Sequence, residues 1–231
     1  MPTRELHWTP QLRSVTSVTT AAPANLDSTA VDSFLDVPLL AHARDSAGPV
    51  QSLSVSGTLH RSGGLTVEFQ LAAELRNVRL MPAVCQPQRR DELWRHTCFE
   101  LFVRCDNEPR YCEFNFAASG DWAAYEFGDY RAAPHDAPQP PIEVTVHTTA
   151  QGQVRLRARI DLPAAFARDR AALDAASWQL NCAAVIEAAD GALSHWAIHH
   201  PRTQPDFHDP EGFRIALKGA TALARSEVAP R

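Results

Sequence analysis

Residues 96–117 read HTCFELFVRCDNEPRYCEFNFA, and the fold follows from how this stretch alternates. Thr97, Phe99, Leu101 and Val103 fall on one side of a two-residue repeat, and His96, Cys98, Glu100 and Phe102 on the other. After Asp106-Asn107-Glu108-Pro109 the pattern resumes, with Cys112, Phe114 and Phe116 set against Tyr111, Glu113 and Asn115. Side chains of a strand point alternately to its two faces, so a period of two is the signature of a strand. A short polar break containing proline between two such runs reads as the connection of a hairpin. Paired in this way, the two phenylalanine-rich sets bury one another, and Glu100, Glu113, Asn115 and His96 share the reverse face.

The same period extends outward. Leu53, Val55, Gly57 and Leu59 alternate, as do Leu65, Val67, Phe69 and Leu71, with Ser62-Gly63-Gly64 as the turn between them. Residues 121–131 continue the meander after Ser119-Gly120. Ile142, Val144 and Val146 face Val154, Leu156, Ala158 and Ile160 across Gln151-Gly152. Trp178, Leu180, Cys182, Ala184 and Ile186 form another run, which Ala189-Asp190-Gly191 turns into residues 192–199. Phe213, Ile215 and Leu217 close the series. Only Pro163–Ala176 has helical composition, enough for one or two short helices. Many short strands with almost no helix predict an all-β, antiparallel sandwich or barrel.

A chain of 231 residues, 45% hydrophobic and 21% charged, is ordinary for one globular domain. Its ends differ from the middle. Arg13–Ser33 is rich in Ser, Thr, Ala and Pro, so residues 1–34 are expected to form a flexible leader, 35–217 the domain, and 218–231 a disordered tail. The formal charge of −5, with Lys218 the single lysine, offers no basic excess for a phosphate backbone, and nucleic acid is not expected as a partner. No apolar run approaches ~18 residues, so no membrane span is expected. The N-terminal residues contain no apolar stretch of roughly 7–15 residues, and a cytoplasmic location is expected. Five cysteines, an odd number with no C-x-x-C pair, read as buried thiols rather than a disulfide or metal framework.

The polar face of the 96–117 hairpin is the informative one. Two acids side by side on a sheet repel, so they need a cation, a hydrogen-bond network or water between them. Arg89, Arg90 and Arg95 lie close enough in sequence to supply charge. The face is then either a solvated surface balanced by arginine or the polar floor of a ligand groove. Trp94, Trp122 and Tyr125 favour the groove, because a partly exposed aromatic ring beside carboxylate and amide groups suits a sugar. A second polar cluster comprises His195, Trp196, His199, His200, Asp206 and His208. Its spacing matches no zinc signature, and Pro201–Pro210 reads as a rigid loop in which Asp206 and His208 cap turns. Nucleophile-elbow, P-loop and dinucleotide motifs are absent, so no enzyme is expected. A Glu100–Glu113 glycosidase pair is the one catalytic arrangement the residues suggest.

The run Asp91–Val103 resembles the DOMON-like proteins of the second, bacterial type. Glu113–Phe116, Ser119–Tyr125, Val185–Glu187, Leu193–Ala197, His200-Pro201, Pro205–His208 and Gly212-Phe213 are similar to them as well. The likeness covers roughly residues 50–217. It implies an immunoglobulin-like β-sandwich related to haem-binding DOMON domains and to family-nine carbohydrate-binding modules, which hold haem or sugar between the sheets or on a concave face. Carried over from the sugar-binding relatives, it assigns Trp94, Glu100, Glu113, Asn115 and Trp122 to a binding hairpin. Carried over from the haem relatives, it leaves Met81 with His200 or His96 as axial ligands. The combined expectation is a non-catalytic small-ligand module with a carbohydrate-like ligand. Its site comprises Arg90, Trp94, His96, Glu100, Glu113, Asn115, Trp122, Tyr125, Trp196, His200, Asp206 and His208. Haem binding is one alternative, and a structural or interaction module without a small ligand is another.

Overall fold

The computed structural model describes residues 30–105, 108–136, 140–167 and 170–222. Within them the strands are β1 (Ala30–Pro38), β2 (Leu40–Ala41), β3 (Val50–His60), β4 (Gly64–Ala73), β5 (Cys98–Cys105), β6 (Tyr111–Ala117), β7 (Trp122–Phe127), β8 (His135–Asp136), β9 (Ile142–Thr148), β10 (Gln153–Asp161), β11 (Ser177–Glu187), β12 (Leu193–Ala197) and β13 (Ile215–Lys218). Two short helices, α1 (Leu162–Phe166) and α2 (Arg170–Ala175), lie between β10 and β11. One sheet runs β1-β3-β4-β10-β9. The other runs β2-β12-β11-β5-β6-β7-β8, with β13 also paired to β11. The architecture is an antiparallel β-sandwich.

The alternation in sequence becomes the two faces of each sheet. Leu53, Val55, Val67, Phe69, Leu156 and Ile160 of the first sheet pack in one core with Phe99, Leu101, Phe114, Phe116, Leu180 and Ile186 of the second. Phe69 and Phe99 meet across the layers at 5.3 Å between ring centroids. The other face of the first sheet is charged, and Glu68 there pairs with Arg155 at 3.3 Å and Arg157 at 2.8 Å. The β9–β10 turn needs glycine at 152. Its φ is +84°, and a Cβ there would lie 2.5 Å from the Ala73 carbonyl oxygen. Asp161 starts α1 by accepting from the Ala164 N–H at 3.1 Å, ahead of a proline suited to the first turn. Phe166 then covers Trp178 edge-on at 5.1 Å.

The ordered sandwich starts earlier than the change in composition suggests. β1 begins at Ala30 and pairs with β3, Phe34 lying opposite Gly57. Backbone pairing with β3 needs no apolar run of its own, so a Ser- and Asp-containing stretch reads as leader and folds as an edge strand. Residues 1–29, including Trp8, lie outside the described residues. At the other end, the Lys218 N–H donates to Asp32 at 2.8 Å and the Gly219 N–H to the Ala176 carbonyl at 3.0 Å, so the chain is tied to the sandwich past 217. Residues 223–231 lie outside the described residues. All five cysteines are free thiols, with Cys85 exposed and the other four buried. No helix among the described residues is long and apolar enough to cross a membrane.

Candidate ligand-binding site

The site lies on the outer face of the second sheet, away from the main core. Side chains from five adjacent strands form its floor in register. Glu100 on β5 lies opposite Asn115 on β6 and Ala183 on β11, and beyond these stand Ala123 on β7 and Ala197 on β12. One row along, Phe102 lies opposite Glu113, which lies opposite Tyr125. The alanines flanking Glu100 and Asn115 project little, which leaves volume above the acids. Residues around 93, 127–134 and 205–208 wall that volume, and a second buried cluster of Leu93, Phe102, Tyr111, Tyr125, Phe127 and Phe207 packs around it. The result is a cavity of about 420 Å³ lined by Trp94, Glu100, Glu113, Tyr125, Phe127, Arg131, Ala132, Pro134, Val185, His195, Pro205, Phe207 and His208.

The acids are almost shut off from solvent. Glu100 is 3% exposed, Glu113 5% and Asn115 0%. Asn115 Nδ2 donates to Glu113 Oε1 at 2.7 Å, while Glu100 Oε1 and Asn115 Oδ1 have no hydrogen-bond partner among the described residues. Burial, and then repulsion from Glu113, holds the Glu100 carboxyl well above the ordinary carboxylate range. Burial lifts Glu113 to about 7, against the hydrogen bond from Asn115 and the charge of Arg131. His208 shows the converse. Burial, followed by the Arg131 charge, depresses it to about 4, although Asp206 pulls the other way. Its Nε2 stands 3.6 Å from Glu113 Oε2, yet desolvation outweighs attraction for both, so the pair is neutral across mildly acidic pH.

The cover is held by its own polar contacts. The Arg131 backbone N–H donates to Tyr111 Oη at 3.4 Å, and that hydroxyl is hydrogen-bonded to His208 Nδ1 at 2.8 Å. The Arg131 guanidinium donates to Asp206 at 2.7 and 3.2 Å, and Tyr130 Oη donates to the same carboxylate at 2.6 Å. Asn181 Nδ2 holds the Phe207 carbonyl at 2.9 Å, and Arg202 pairs with Asp209 at the base of the loop. On β12, Asp45 accepts from the His195 backbone N–H at 2.8 Å and holds the ring through Nδ1 at 2.9 Å. Tyr125 Oη donates to Asp91 at 2.7 Å, and Trp94 meets the Tyr125 ring edge-on at 5.6 Å. Trp94 is 39% exposed, on the turn whose neighbour Leu93 is buried.

Of the residues expected from sequence, Trp94, Glu100, Glu113, Tyr125 and His208 line the cavity. Asn115 lies beside Glu113, and Asp206 anchors the rim through Arg131. The others stand elsewhere. Trp122 packs against the main core, since β7 alternates and an odd spacing separates it from Tyr125. Trp196 is 7% exposed in that same core, its indole N–H donating to Ser194. Arg90 pairs with Asp121 at 3.3 Å, and His96 with Glu187 at 2.7 Å. His200 Nε2 lies 2.8 Å from the Leu40 carbonyl. Met81 packs against the second cluster, and neither it nor His200 lines the cavity. These two residues therefore do not offer the cavity a pair of haem ligands. Sequence reasoning missed Arg131, Phe127 and Phe207, and it singled out His195 in a polar cluster without assigning it to the site. Phe127 and His195 were legible from alternation with Tyr125 and Ala197, whereas Arg131 and Phe207 arrive on loops whose path carries no period.

No known family profile matches this chain, and no curated protein matches it. The fold does have a solved counterpart. A Bacteroides uniformis protein described as a candidate carbohydrate-binding protein superimposes with a TM-score of 0.55 at 17% identity, over 76% of this chain and 82% of that one. At that identity the likeness speaks for the fold.

Proposed function

We propose that this chain is a non-catalytic binding protein for a small polar ligand of the carbohydrate class, held in the cavity above β5 and β6. One observation carries the reading: the Glu100 carboxyl is buried, without a partner on Oε1, and lines that cavity. A buried carboxyl oxygen left unpaired costs about 1–3 kcal/mol, and a ligand hydroxyl or amine would remove that cost. Trp94, Tyr125, Phe127 and Phe207 supply ring faces for the apolar side of a sugar, and the acids, His195 and His208 supply polar groups for its substituents. The carbohydrate-binding description of the Bacteroides uniformis protein supports the same class. The DOMON-like kinship belongs to this proposal too, since the run 91–103 on which it rests supplies both Trp94 and Glu100.

Calorimetric titration against a panel of mono- and disaccharides tests it. Binding that Trp94→Ala weakens by about tenfold, with the melting temperature unchanged, is the expected result. No heat from any sugar, together with unchanged tryptophan fluorescence, would refute it and favour a structural module whose cavity takes no small ligand.

A further inference from the structure

The cavity is rich in acceptors and poor in available positive charge. Glu100 and Glu113 present two carboxyls, and the His195 ring, held through Nδ1 by Asp45, stands in the same lining. Asn115 Oδ1, opposite Glu100 in the sheet, is buried without a partner. The one lining residue with a permanent positive charge is Arg131, and its guanidinium is already bound to Asp206 at 2.7 and 3.2 Å. His208 Nε2 stands 3.6 Å from Glu113, longer than a normal hydrogen bond. The walls are the rings of Trp94, Tyr125, Phe127 and Phe207, whose faces carry the negative end of the aromatic quadrupole. Paired carboxyls under aromatic rings form a cation cage: the carboxyls supply opposite charge and the rings attract a cation further.

We propose that the ligand presents an ammonium group to the Glu100–Glu113 floor, which makes an amino sugar the favoured member of the carbohydrate class. This rests on the cavity being a sugar site and narrows it. A neutral sugar would hydrogen-bond the two carboxyls in their protonated forms and release no proton. An anionic ligand would find no free counter-charge, since the Arg131 guanidinium is bound to Asp206. An ammonium between the carboxyls carries one positive charge and favours ionisation of one of them, so binding expels a proton that the empty floor holds. The other titratable groups facing this floor are Cys98 on β5, Tyr111 on β6, Tyr125 on β7, Arg131 after β7, His195 on β12 and His208 in the covering loop. Tyr111 is held up at about 12 by burial, and burial also raises Tyr125 and Cys98. Arg131 stays charged. Glu100 and Glu113 are the lining acids that burial holds protonated.

Glucose, N-acetylglucosamine, glucosamine and choline separate the possibilities, each titrated calorimetrically at about pH 6.5, below the ordinary amine range. Two buffers of different ionisation enthalpy count the protons released. Glucosamine is expected to bind at least about tenfold tighter than the two neutral sugars, with release of about one proton, and Glu100→Gln is expected to abolish that preference. The near-isosteric Gln keeps the side-chain shape, and a retained melting temperature shows that the fold is intact. Equal binding of all three sugars without proton release would overturn the ammonium assignment and leave the sugar reading standing. Binding of choline alone would support the cation cage and refute the sugar reading. No heat from any of the four overturns both.

Discussion

The neutral Glu113–His208 pair makes a prediction that stability measurements can check without any ligand. Burial raises the Glu113 carboxyl from 4.5 to about 7. Its contribution to stability is therefore complete below about pH 4.5 and is lost as pH rises through about 7. At about 1.4 kcal/mol per pH unit, that loss amounts to about 3 kcal/mol. His208 carries the opposite sign. Its folded value is depressed from 6.5 to about 4, so its contribution is complete above about pH 6.5 and is lost as pH falls through about 4, again by about 3 kcal/mol. Between about pH 4.5 and 6.5 the two terms cancel, and the wild-type chain is expected to show little pH dependence from this pair. Glu113→Gln removes one term and exposes the other. The variant should match the wild type near pH 4, gain on it steadily, and exceed it by about 3 kcal/mol at pH 8, or about 6–12 °C in melting temperature for a domain of this size. Urea unfolding followed by tryptophan fluorescence at about pH 4.5, 6 and 8 measures this. A difference that is independent of pH, or a variant less stable than wild type at about pH 8, would show that Glu113 is not held neutral by burial.

Three further outcomes follow from the same packing. Trp196→Ala should cost about 3–5 kcal/mol, because the ring is buried in the main core; Trp94→Ala should leave stability nearly unchanged, and thermal melts of the two variants check the contrast. Gly57→Ala would set a Cβ 2.3 Å from Phe34 Cε1, so β1 should be pushed off the first sheet at a cost of about 1–3 kcal/mol. Limited proteolysis should then cut within 30–38 while ligand binding on the other sheet is unaffected. In the folded protein a thiol reagent should titrate Cys85 rapidly, with the remaining four cysteines reacting only after denaturant is added; a second fast thiol would contradict the burial of Cys98, Cys105, Cys112 and Cys182.

By itself the sequence determined whatever obeys a period. Phe99, Leu101, Phe114 and Phe116 were bound to face one core and Glu100, Glu113 and Asn115 to share the reverse face, because a strand leaves a side chain only two directions. The same rule, applied to β7 and β12, also turns Trp122 and Trp196 inward. Only the tertiary structure decided what lies above the acids. Leu93, Arg131, Phe207 and His208 come from segments far apart in the chain, brought together by loops with no repeat to read. That covering buries the carboxyls of the sheet face at the floor of a cavity, and with it shifts the ionisation of Glu113 and His208. Ionisation depends on desolvation, and desolvation is a property of everything packed around a group rather than of its neighbours in sequence.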